Sequence, residues 1–391
     1  MNSPQIRCLL IGLVCLLLAV TVDAQETPPR IVAISDAMRQ QIDKHEIAGA
    51  VTLVASRDRV LHLDAIGDAN IEKKLPMQAD SLFWIASMTK PITATAVMML
   101  VEEGKLSVDD PIDKYIPELA HLKTADGQEH VITLKHLFTH SSGMPDAGPG
   151  ELRTPQNLEQ VMKHYVGKTL LFAPGSQWKY SQTGINTLGR IVEVVSGKPF
   201  QEFLQERLFT PLGMKDTTFY LTKDQIPRLA TAYKKTGDKL EPAEISMFSG
   251  QDLTSRNRYP APNGGLFSTA SDYGKFARMI LNQGTLDGHQ YLKPQTVTQM
   301  TTVQSGDLVT GFTPGNGWGL GWCVVRQPQG SSQMLSPGTH GHGGAYGTQA
   351  WIDPQKGLVY ILMVQRANFA NSDASDTRMA FQEAAARALA H

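Results

Sequence analysis

The stretch that decides the fold, residues 84–91, reads Trp-Ile-Ala-Ser-Met-Thr-Lys-Pro and stands at the head of a long apolar run, 92–101. Two glutamates and Gly104 close this run, so the pattern predicts a buried helix that ends at a glycine. Ser87 and Lys90 lie three residues apart. Residues at that spacing share one face of a helix, so the Ser87 hydroxyl and the Lys90 amine are predicted to point at the same space.

A serine and a lysine placed in this way form a candidate catalytic pair. An unassisted serine is a poor nucleophile and needs a neighbouring base. A lysine serves as that base only if burial lowers its pKa. Pro91 fits this placement, because proline is tolerated in the first turn of a helix. The alternative is an ordinary helix cap at Ser87 and a solvated Lys90, because Ser-x-x-Lys alone is a weak motif.

The length and composition are those of a soluble globular protein. The chain has 391 residues, which suggests one large domain with an insertion, or two domains. Hydrophobic residues make up 41% and charged residues 19%, with a mean hydropathy of -0.20. The formal net charge is -1, and no basic stripe or polybasic segment indicates nucleic acid or a membrane surface as a partner.

The N-terminus has the pattern of a secretory signal peptide. Arg7 precedes an apolar stretch, 8–20, which is followed by Thr-Val-Asp-Ala at 21–24. This order predicts a signal peptide over residues 1–24 and export to the periplasm or the medium. The alternative is a membrane anchor, for which the stretch is short. The mature chain keeps a single cysteine, Cys323, so no intrachain disulfide is expected.

The remaining periodicity predicts strands at both ends of the chain and helices between them. Helices are predicted over 31–45 and 375–390, and residues 191–195 and 200–208 are predicted to belong to helices. A further helix is predicted to begin at a cap formed by Ser271 or Asp272 and to run through Leu281. The predicted strands span 48–55, 60–65, 317–325, 348–352 and 358–364. The fold class expected is therefore α/β (α+β), a mainly antiparallel sheet flanked by helices and built from both termini.

The same pattern predicts the domain organisation. Residues 31–110 and 260–391 are expected to form the α/β part, and 111–259 an inserted, mostly helical part. A cleft between the two parts would be the natural site for a ligand.

Two further motifs carry possible chemistry. Residues 180–182 read Tyr-Ser-Gln, and a tyrosine relays protons if a nearby cation lowers its pKa. The alternative is a buried aromatic followed by a helix cap at Ser181. Residues 340–347 read His-Gly-His-Gly-Gly-Ala-Tyr-Gly, where glycines let an edge strand offer a backbone N–H as an oxyanion donor. The alternative is a glycine-rich hairpin with incidental histidines.

Motifs for metals and nucleotides are incomplete. His136 and His140 have the spacing of zinc proteases, but Leu137 stands where the glutamate base belongs. Gly167-Lys168-Thr169 resembles the end of a P-loop, but Met162 stands where its first glycine is required. No carboxylate or cysteine cluster accompanies the histidines of 340–347. The sequence therefore predicts no metal and no cofactor.

The order Ser-x-x-Lys, Tyr-x-Gln, His-Gly-Gly resembles the serine β-lactamase and penicillin-binding-protein superfamily in its class C-like branch. That branch includes family VIII carboxylesterases, D,D-carboxypeptidases and D-aminopeptidases. Further segments similar to family signatures extend the resemblance from about residue 31 to the C-terminal helix. They span 104–111, 136–143, 211–214, 263–269 and 318–322.

The resemblance implies roles for the motif residues. Ser87 is the acylated nucleophile, and Lys90 and Tyr180 share the general acid and base work, with the first base left open. The backbone N–H groups of Ser87 and Ala345 form the oxyanion hole. The residues implied in substrate binding are Gln182, His342, Gly343 and Gly344.

Two departures from the family pattern bear on the substrate. Gln182 stands where asparagine is usual, and His342 replaces the lysine of Lys-Thr-Gly and is largely neutral near neutral pH unless its pKa is raised. Both changes weaken recognition of an anionic amide, and neither is needed to attack a simple ester. A small carboxylic ester is therefore the expected substrate. β-Lactam, D-Ala-peptide or D-aminopeptide hydrolysis is the alternative, and a non-catalytic penicillin-binding sensor domain is a third possibility. The oligomeric state stays open.

Overall fold

The computed structural model describes residues 31–389, except for 149 and 312. The predicted signal peptide, 1–24, lies outside the described residues. None of the helices described is long and apolar enough to cross a membrane.

Helices occur along the whole of the described chain. The described α-helices are α1 Val32–Asp43, α2 Thr89–Glu102, α3 Leu134–Phe138, α4 Leu158–Met162, α5 Gln182–Ser196, α6 Phe200–Leu204, α7 Thr210–Leu212, α8 Ala270–Leu281, α9 Pro294–Thr301 and α10 Asp376–Ala388. A π-helical turn, Gln205–Phe209, joins α6 to α7.

The strands lie mostly towards the two ends of the chain. The described strands are β1 Gly49–Ala55, β2 Val60–Asn70, β3 Leu75–Pro76, β4 Phe83–Trp84, β5 Tyr233–Thr236, β6 Lys239–Pro242, β7 Phe267–Ser268, β8 Thr285–Leu286, β9 His289–Gln290, β10 Asn316–Trp318, β11 Cys323–Val325, β12 His340–Gly343, β13 Gln349–Asp353, β14 Leu358–Met363 and β15 Arg366–Ala367.

An eight-stranded antiparallel sheet forms the centre of the fold, in the order β10-β11-β12-β13-β14-β1-β2-β3. The early hairpin β1–β2 joins the late strands where β1 pairs with β14, with Val51 opposite Met363 and Ala55 opposite Val359. The sheet is thus built from both ends of the chain, which confirms the predicted fold class.

Both faces of the sheet are covered by helices, as the strand pleat requires. Along β14, Val359, Ile361 and Met363 enter the core that contains α2 and α8. The alternate residues Tyr360 and Leu362 enter the core under α1 and α10. This period of two explains why β14 reads as a continuous apolar run, since both faces are buried.

The helix α2 is buried on nearly every side because its residues are apolar all round, with little amphipathic contrast. It packs against α5, whose first residue follows Ser181. Ser181 caps α5 by accepting a hydrogen bond from the N–H of Gly184, and Gly197 ends the helix in the left-handed conformation at φ 70°. This packing brings Tyr180 next to the start of α2.

Three predictions about individual elements were wrong. The single strand expected over 317–325 is a hairpin of β10 and β11, because Gly321, at φ 78°, reverses the chain and packs against Ala94. The helix α8 is capped by Thr269, whose hydroxyl accepts the N–H of Asp272 at 3.1 Å, and not by Ser271 or Asp272.

The third concerns the strand β12, which was expected at an edge. It lies inside the sheet, because β11 pairs with it through His340 and Gly341. That pairing ends before His342, so β11 leaves His342 and Gly343 uncovered on one side.

Candidate active site

The predicted nucleophile lies in a strained turn just before α2. Ser87 is the middle residue of a 3-10 turn, Ala86–Met88, and Lys90 follows in the first turn of α2. Ala86 adopts φ 44°, a left-handed conformation that is rare for residues other than glycine. The Thr89 hydroxyl donates to the Ala86 carbonyl at 2.7 Å, which helps to hold this turn. Backbone strain of this kind is concentrated at functional sites.

Lys90 is buried, and its amine has three polar neighbours. Lys90 Nζ lies 2.9 Å from Gln182 Oε1, 2.6 Å from the backbone carbonyl oxygen of Asn263 and 3.1 Å from Ser87 Oγ. Two of these neighbours are carbonyl oxygens, which only accept hydrogen bonds. A neutral amine has two hydrogens and one lone pair, so donation to both carbonyls leaves the lone pair for the Ser87 hydroxyl.

The environment of Lys90 favours this neutral form. Burial lowers the pKa of Lys90 to about 7, although the negative charge of Asp146 acts in the opposite direction. At neutral pH a large share of the molecules therefore has an unprotonated lysine beside Ser87.

Tyr180 completes the group around the Ser87 hydroxyl. Its hydroxyl hydrogen-bonds the Ser87 side chain, and Lys90 Nζ lies 4.7 Å from the centre of its ring. Burial raises the pKa of Tyr180 well above its usual range, although its contact with the Ser87 side chain acts in the opposite direction. The tyrosine is thus protonated at neutral pH, whereas the sequence argument for a proton relay required a cation that lowers its pKa.

His342 lies behind Tyr180 as a neutral hydrogen-bond acceptor. Its Nδ1 is 2.6 Å from the carbonyl oxygen of Gly343, so the ring hydrogen is on Nδ1 and Nε2 accepts from the Tyr180 hydroxyl at 3.3 Å. Burial, and secondarily the charge of Lys90, lower the pKa of His342 to about 3. The ring therefore orients the tyrosine hydroxyl and carries no charge.

Gln182 and Asn263 form an amide pair beside Lys90. The Asn263 Nδ2 donates to Gln182 Oε1 at 2.9 Å, and this oxygen also accepts from Lys90. Gln182 has one methylene more than asparagine, and its side-chain oxygen reaches Lys90 Nζ and accepts a hydrogen bond from it. Asn263 begins the segment 263–269 that is similar to a family signature, but no role at the site was predicted for it.

Asp146 is a second residue that the sequence did not indicate. Its Oδ1 accepts the N–H of Gln182 at 2.8 Å and that of Thr183 at 2.9 Å, at the N-terminus of α5. A carboxylate is stabilised there by the helix dipole. The contact fixes the start of α5, and with it Gln182, relative to the loop that contains Asp146. No sequence motif marked it, because a single aspartate in a loop has no characteristic spacing.

Ser87 opens into a cavity of about 460 Å³. Its wall includes Ala345 and Gln182 and two charged residues of opposite sign, Asp146 and Arg153. Ser87 and Ala345, whose N–H groups are the predicted oxyanion hole, therefore border the same space. A larger cavity of about 790 Å³ lies elsewhere and contains none of the predicted site residues, so cavity size does not identify the site.

The two glycines after His342 lie outside the wall of the Ser87 cavity and pack against protein atoms. A side chain at Gly343 would meet the Asp373 carboxylate, and one at Gly344 would come within 2.7 Å of the carbonyl oxygen of Ile85. The small size of Gly344 thus lets the β12–β13 turn lie against the segment that precedes Ser87. Their role in substrate binding stays a prediction.

Among residues 31–389, apart from 149 and 312, no group of three or more histidine, cysteine or carboxylate side chains is arranged to hold a metal ion. Cys323 is buried, and burial raises its pKa, so its thiol is held in the protonated, unreactive form.

The sequence matches the family model described as Beta-lactamase over residues 34–385, so the chain belongs to the β-lactamase family. The class that fold and site define is the β-lactamase-related serine hydrolases, and this protein is an enzyme of that type. The resemblance found from the motifs is thus confirmed.

The relatives of this chain include proteins named for ester hydrolysis and proteins named for peptide hydrolysis. Esterase EstB from Burkholderia gladioli is 30% identical over 381 residues, which span 89% of this chain and 93% of EstB. The D-alanyl-D-alanine-carboxypeptidase/endopeptidase AmpH from Escherichia coli K12 is 28% identical over 330 residues, 81% of this chain and 79% of AmpH. The solved structure of EstCE1, a hydrolase with promiscuous acyltransferase activity, superposes with a TM-score of 0.79 at 28% identity, covering 91% of this chain and 97% of EstCE1.

Proposed function

We propose that this protein is an exported serine hydrolase that hydrolyses small carboxylic esters through an acyl-enzyme on Ser87. The observation that carries the proposal is the arrangement of Lys90, whose two amine hydrogens have carbonyl acceptors while its lone pair faces Ser87 Oγ at 3.1 Å. A buried neutral lysine in this position is a general base for the serine.

The first step follows from these contacts. As Ser87 Oγ bonds to the ester carbonyl carbon, its proton passes to Lys90 Nζ. The protonated Tyr180 is a poor base, so Lys90 is the first base in this scheme. When the Ser87 proton moves to Lys90, the Tyr180 hydroxyl turns from His342 Nε2 and donates its hydrogen bond to the Ser87 oxygen. The negative charge on the former carbonyl oxygen is stabilised by the N–H groups of Ser87 and Ala345.

The later steps return the enzyme to its starting state. The bond to the leaving oxygen breaks, and that oxygen takes the proton from the Lys90 ammonium and departs as an alcohol. Water then attacks the acyl group and gives a proton to Lys90. The bond to Ser87 Oγ breaks, Ser87 recovers the proton, and the carboxylic acid is released.

The preference for esters rests on the state of His342. Both ring nitrogens have partners, and the ring is neutral, so it supplies no cation for a substrate carboxylate. A neutral ester needs no such cation. The names of EstB and EstCE1, an esterase and a hydrolase with acyltransferase activity, agree with this choice.

Export is supported by the pattern of Arg7 and the apolar stretch 8–20. N-terminal sequencing of the protein recovered from the periplasm or the medium should begin at Gln25. A protein that keeps Met1 in the cytoplasm would contradict this part of the proposal.

The substrate is tested by a side-by-side panel. It comprises short-chain p-nitrophenyl esters, a chromogenic cephalosporin, a D-Ala-D-Ala peptide and D-amino-acid amides, with Ser87→Ala as the blank. We expect kcat/KM for the best ester to exceed that for the other substrates by at least about tenfold. Peptide mapping by mass spectrometry should place the acyl group on Ser87. Turnover that persists in the blank, or an adduct on another residue, would contradict the proposal.

A second candidate is hydrolysis of D-alanyl peptides. The observation in its favour is Arg153, a cation on the wall of the Ser87 cavity that could pair with a terminal carboxylate. The relative AmpH is named for this activity. Faster turnover of the D-Ala-D-Ala peptide than of the esters, lost in Arg153→Gln, would favour this candidate over the esterase.

The pKa of Lys90 leads to a prediction for the pH dependence. The base must be neutral, so activity should be low where Lys90 is protonated and should rise with pH to a plateau. We expect kcat/KM for a neutral ester to follow a single ionisation with a pKa of about 7. A profile measured from about pH 5 to about pH 9 tests this. A profile that stays flat across neutral pH would contradict the role of Lys90 as the base.

A further inference from the structure

His140 is buried beside Tyr180 and takes no part in the steps above. We infer that His140 is a positioning residue that holds the catalytic tyrosine in place through its imidazole Nδ1 and its backbone carbonyl. The inference rests on the proposed function only in that the proposal assigns Tyr180 to the reaction.

His140 accepts hydrogen bonds from the residues on both sides of Tyr180. The N–H of Ser181, the residue after Tyr180, donates to His140 Nδ1 at 3.1 Å. The N–H of Lys179, the residue before Tyr180, donates to the His140 carbonyl oxygen at 2.9 Å. The imidazole and phenol rings lie against each other with their centres 4.5 Å apart. One residue thus contacts the tyrosine ring and fixes the backbone on both sides of it.

The protonation state of His140 suits this role. Because Nδ1 accepts a hydrogen bond, the ring hydrogen must be on Nε2. Burial lowers the pKa of His140, which keeps the ring neutral and Nδ1 available. The buried Nε2 makes no hydrogen bond to any residue in the described part of the chain. The Trp318 ring lies 4.8 Å away at 69°, in an edge-to-face arrangement with the imidazole.

The backbone of His140 gives independent support. It follows α3 at φ 56°, and the N–H of Ser141 donates to the carbonyl of His136 at 2.9 Å. This is the usual helix ending in which glycine or asparagine occupies the left-handed position. A histidine there bears a steric cost that glycine would avoid. A histidine at this strained position indicates that its imidazole has a role beside Tyr180.

The arrangement also explains the zinc-protease spacing of His136 and His140. His136 caps the other end of α3, where its Nδ1 accepts the N–H of Thr133 at 3.1 Å. The two histidines therefore have separate structural partners at opposite ends of one short helix.

Two variants that both suit the left-handed conformation test the inference. His140→Asn keeps a side-chain acceptor close to the position of Nδ1, whereas His140→Gly removes it. We expect His140→Gly to lower kcat for the best ester about 10- to 100-fold with KM changed less than about threefold, because a misplaced catalytic group affects the chemical step. His140→Asn should stay within about fivefold of the parent. Thermal melting checks that both variants fold.

A double-mutant cycle shows whether His140 acts through the tyrosine. In a Tyr180→Phe background, His140→Gly should lower kcat less than about twofold, because the group that it positions is already gone. Equal losses in both backgrounds would overturn the inference. Folded His140→Asn and His140→Gly variants that are equally slow would overturn the role of Nδ1.

The rate at which a fluorophosphonate labels Ser87 separates this inference from the ester proposal. The probe reports activation of the serine without depending on the natural substrate. If no ester in the panel is hydrolysed but labelling shows the expected ranking of variants, the ester proposal fails and the role of His140 stands. Labelling rates that are the same in all variants would overturn the role of His140.

Discussion

Replacing Ser87 with alanine is expected to lower kcat/KM for a short-chain p-nitrophenyl ester by at least about a thousandfold, because loss of the nucleophile removes the covalent route. The side chain lost is small, and Lys90 keeps its contacts with Gln182 and Asn263. The free energy of unfolding should therefore change by less than about 1 kcal/mol. Initial rates with purified protein, and thermal melting of the same samples, test both expectations.

Two controls make the Ser87 result specific. Ser56→Ala removes a serine in the turn between β1 and β2 that does not line the Ser87 cavity, and it should leave the rate unchanged. A fluorophosphonate should label the parent and Ser56→Ala, but not Ser87→Ala. Ester turnover by Ser87→Ala within about tenfold of the parent would show that another group is the nucleophile.

Local pattern was sufficient for the elements whose neighbours in sequence are also neighbours in space. The strands β1 and β2 were predicted because each is a short run of strand-forming residues, and α2 because an apolar run ends at Gly104. The pairing of β1 with β14 joins segments about three hundred residues apart, and no local signal specifies which strands become neighbours. The expectation of a sheet built from both termini gave the architecture without the strand order.

The hairpin of β10 and β11 shows why one strand was misjudged. The apolar residues of 317–325 favour a strand, but Gly321 adopts a left-handed conformation where the segment divides into two short strands. A glycine in a strand pattern marks several possible features, including a bulge and a close approach. Here the reversal also places Gly321 against Ala94 of α2, which is a tertiary contact that the local sequence does not contain.

The site residues also differ in whether local sequence or long-range packing brings them together. Ser87 and Lys90 were found together because helix periodicity fixes their relation, and Tyr180 and His342 were placed with them by resemblance. Asn263 acts on Lys90 through a backbone carbonyl, which any residue possesses, so its identity carried little signal. His140 lay within a spacing that was rejected as a metal site, and its contacts with residues 179–181 arise only when α3 packs against α5.

Lys90→Met is expected to lower kcat for the ester about 10³- to 10⁴-fold, because it removes the general base and keeps an apolar stem of similar length. The residual activity should lose the rise near neutral pH, since the group with a pKa of about 7 is absent. The carbonyl of Asn263 loses one hydrogen-bond donor at a cost of about 1–2 kcal/mol, whereas removal of a buried amine acts in the opposite direction. The melting temperature should therefore move by only a few degrees.

Two further lysine variants separate the loss of a base from the loss of a charge. Lys90→Arg keeps a positive donor but cannot give up its proton near neutral pH, so it should be as inactive as Lys90→Met. Lys105→Met removes a half-exposed lysine paired with Glu103 and should keep the parental rate and pH profile. If Lys90→Met retained more than about a tenth of the parental kcat, or kept the ionisation near neutral pH, the base would have to be another group, and Tyr180 oriented by His342 would be the remaining candidate.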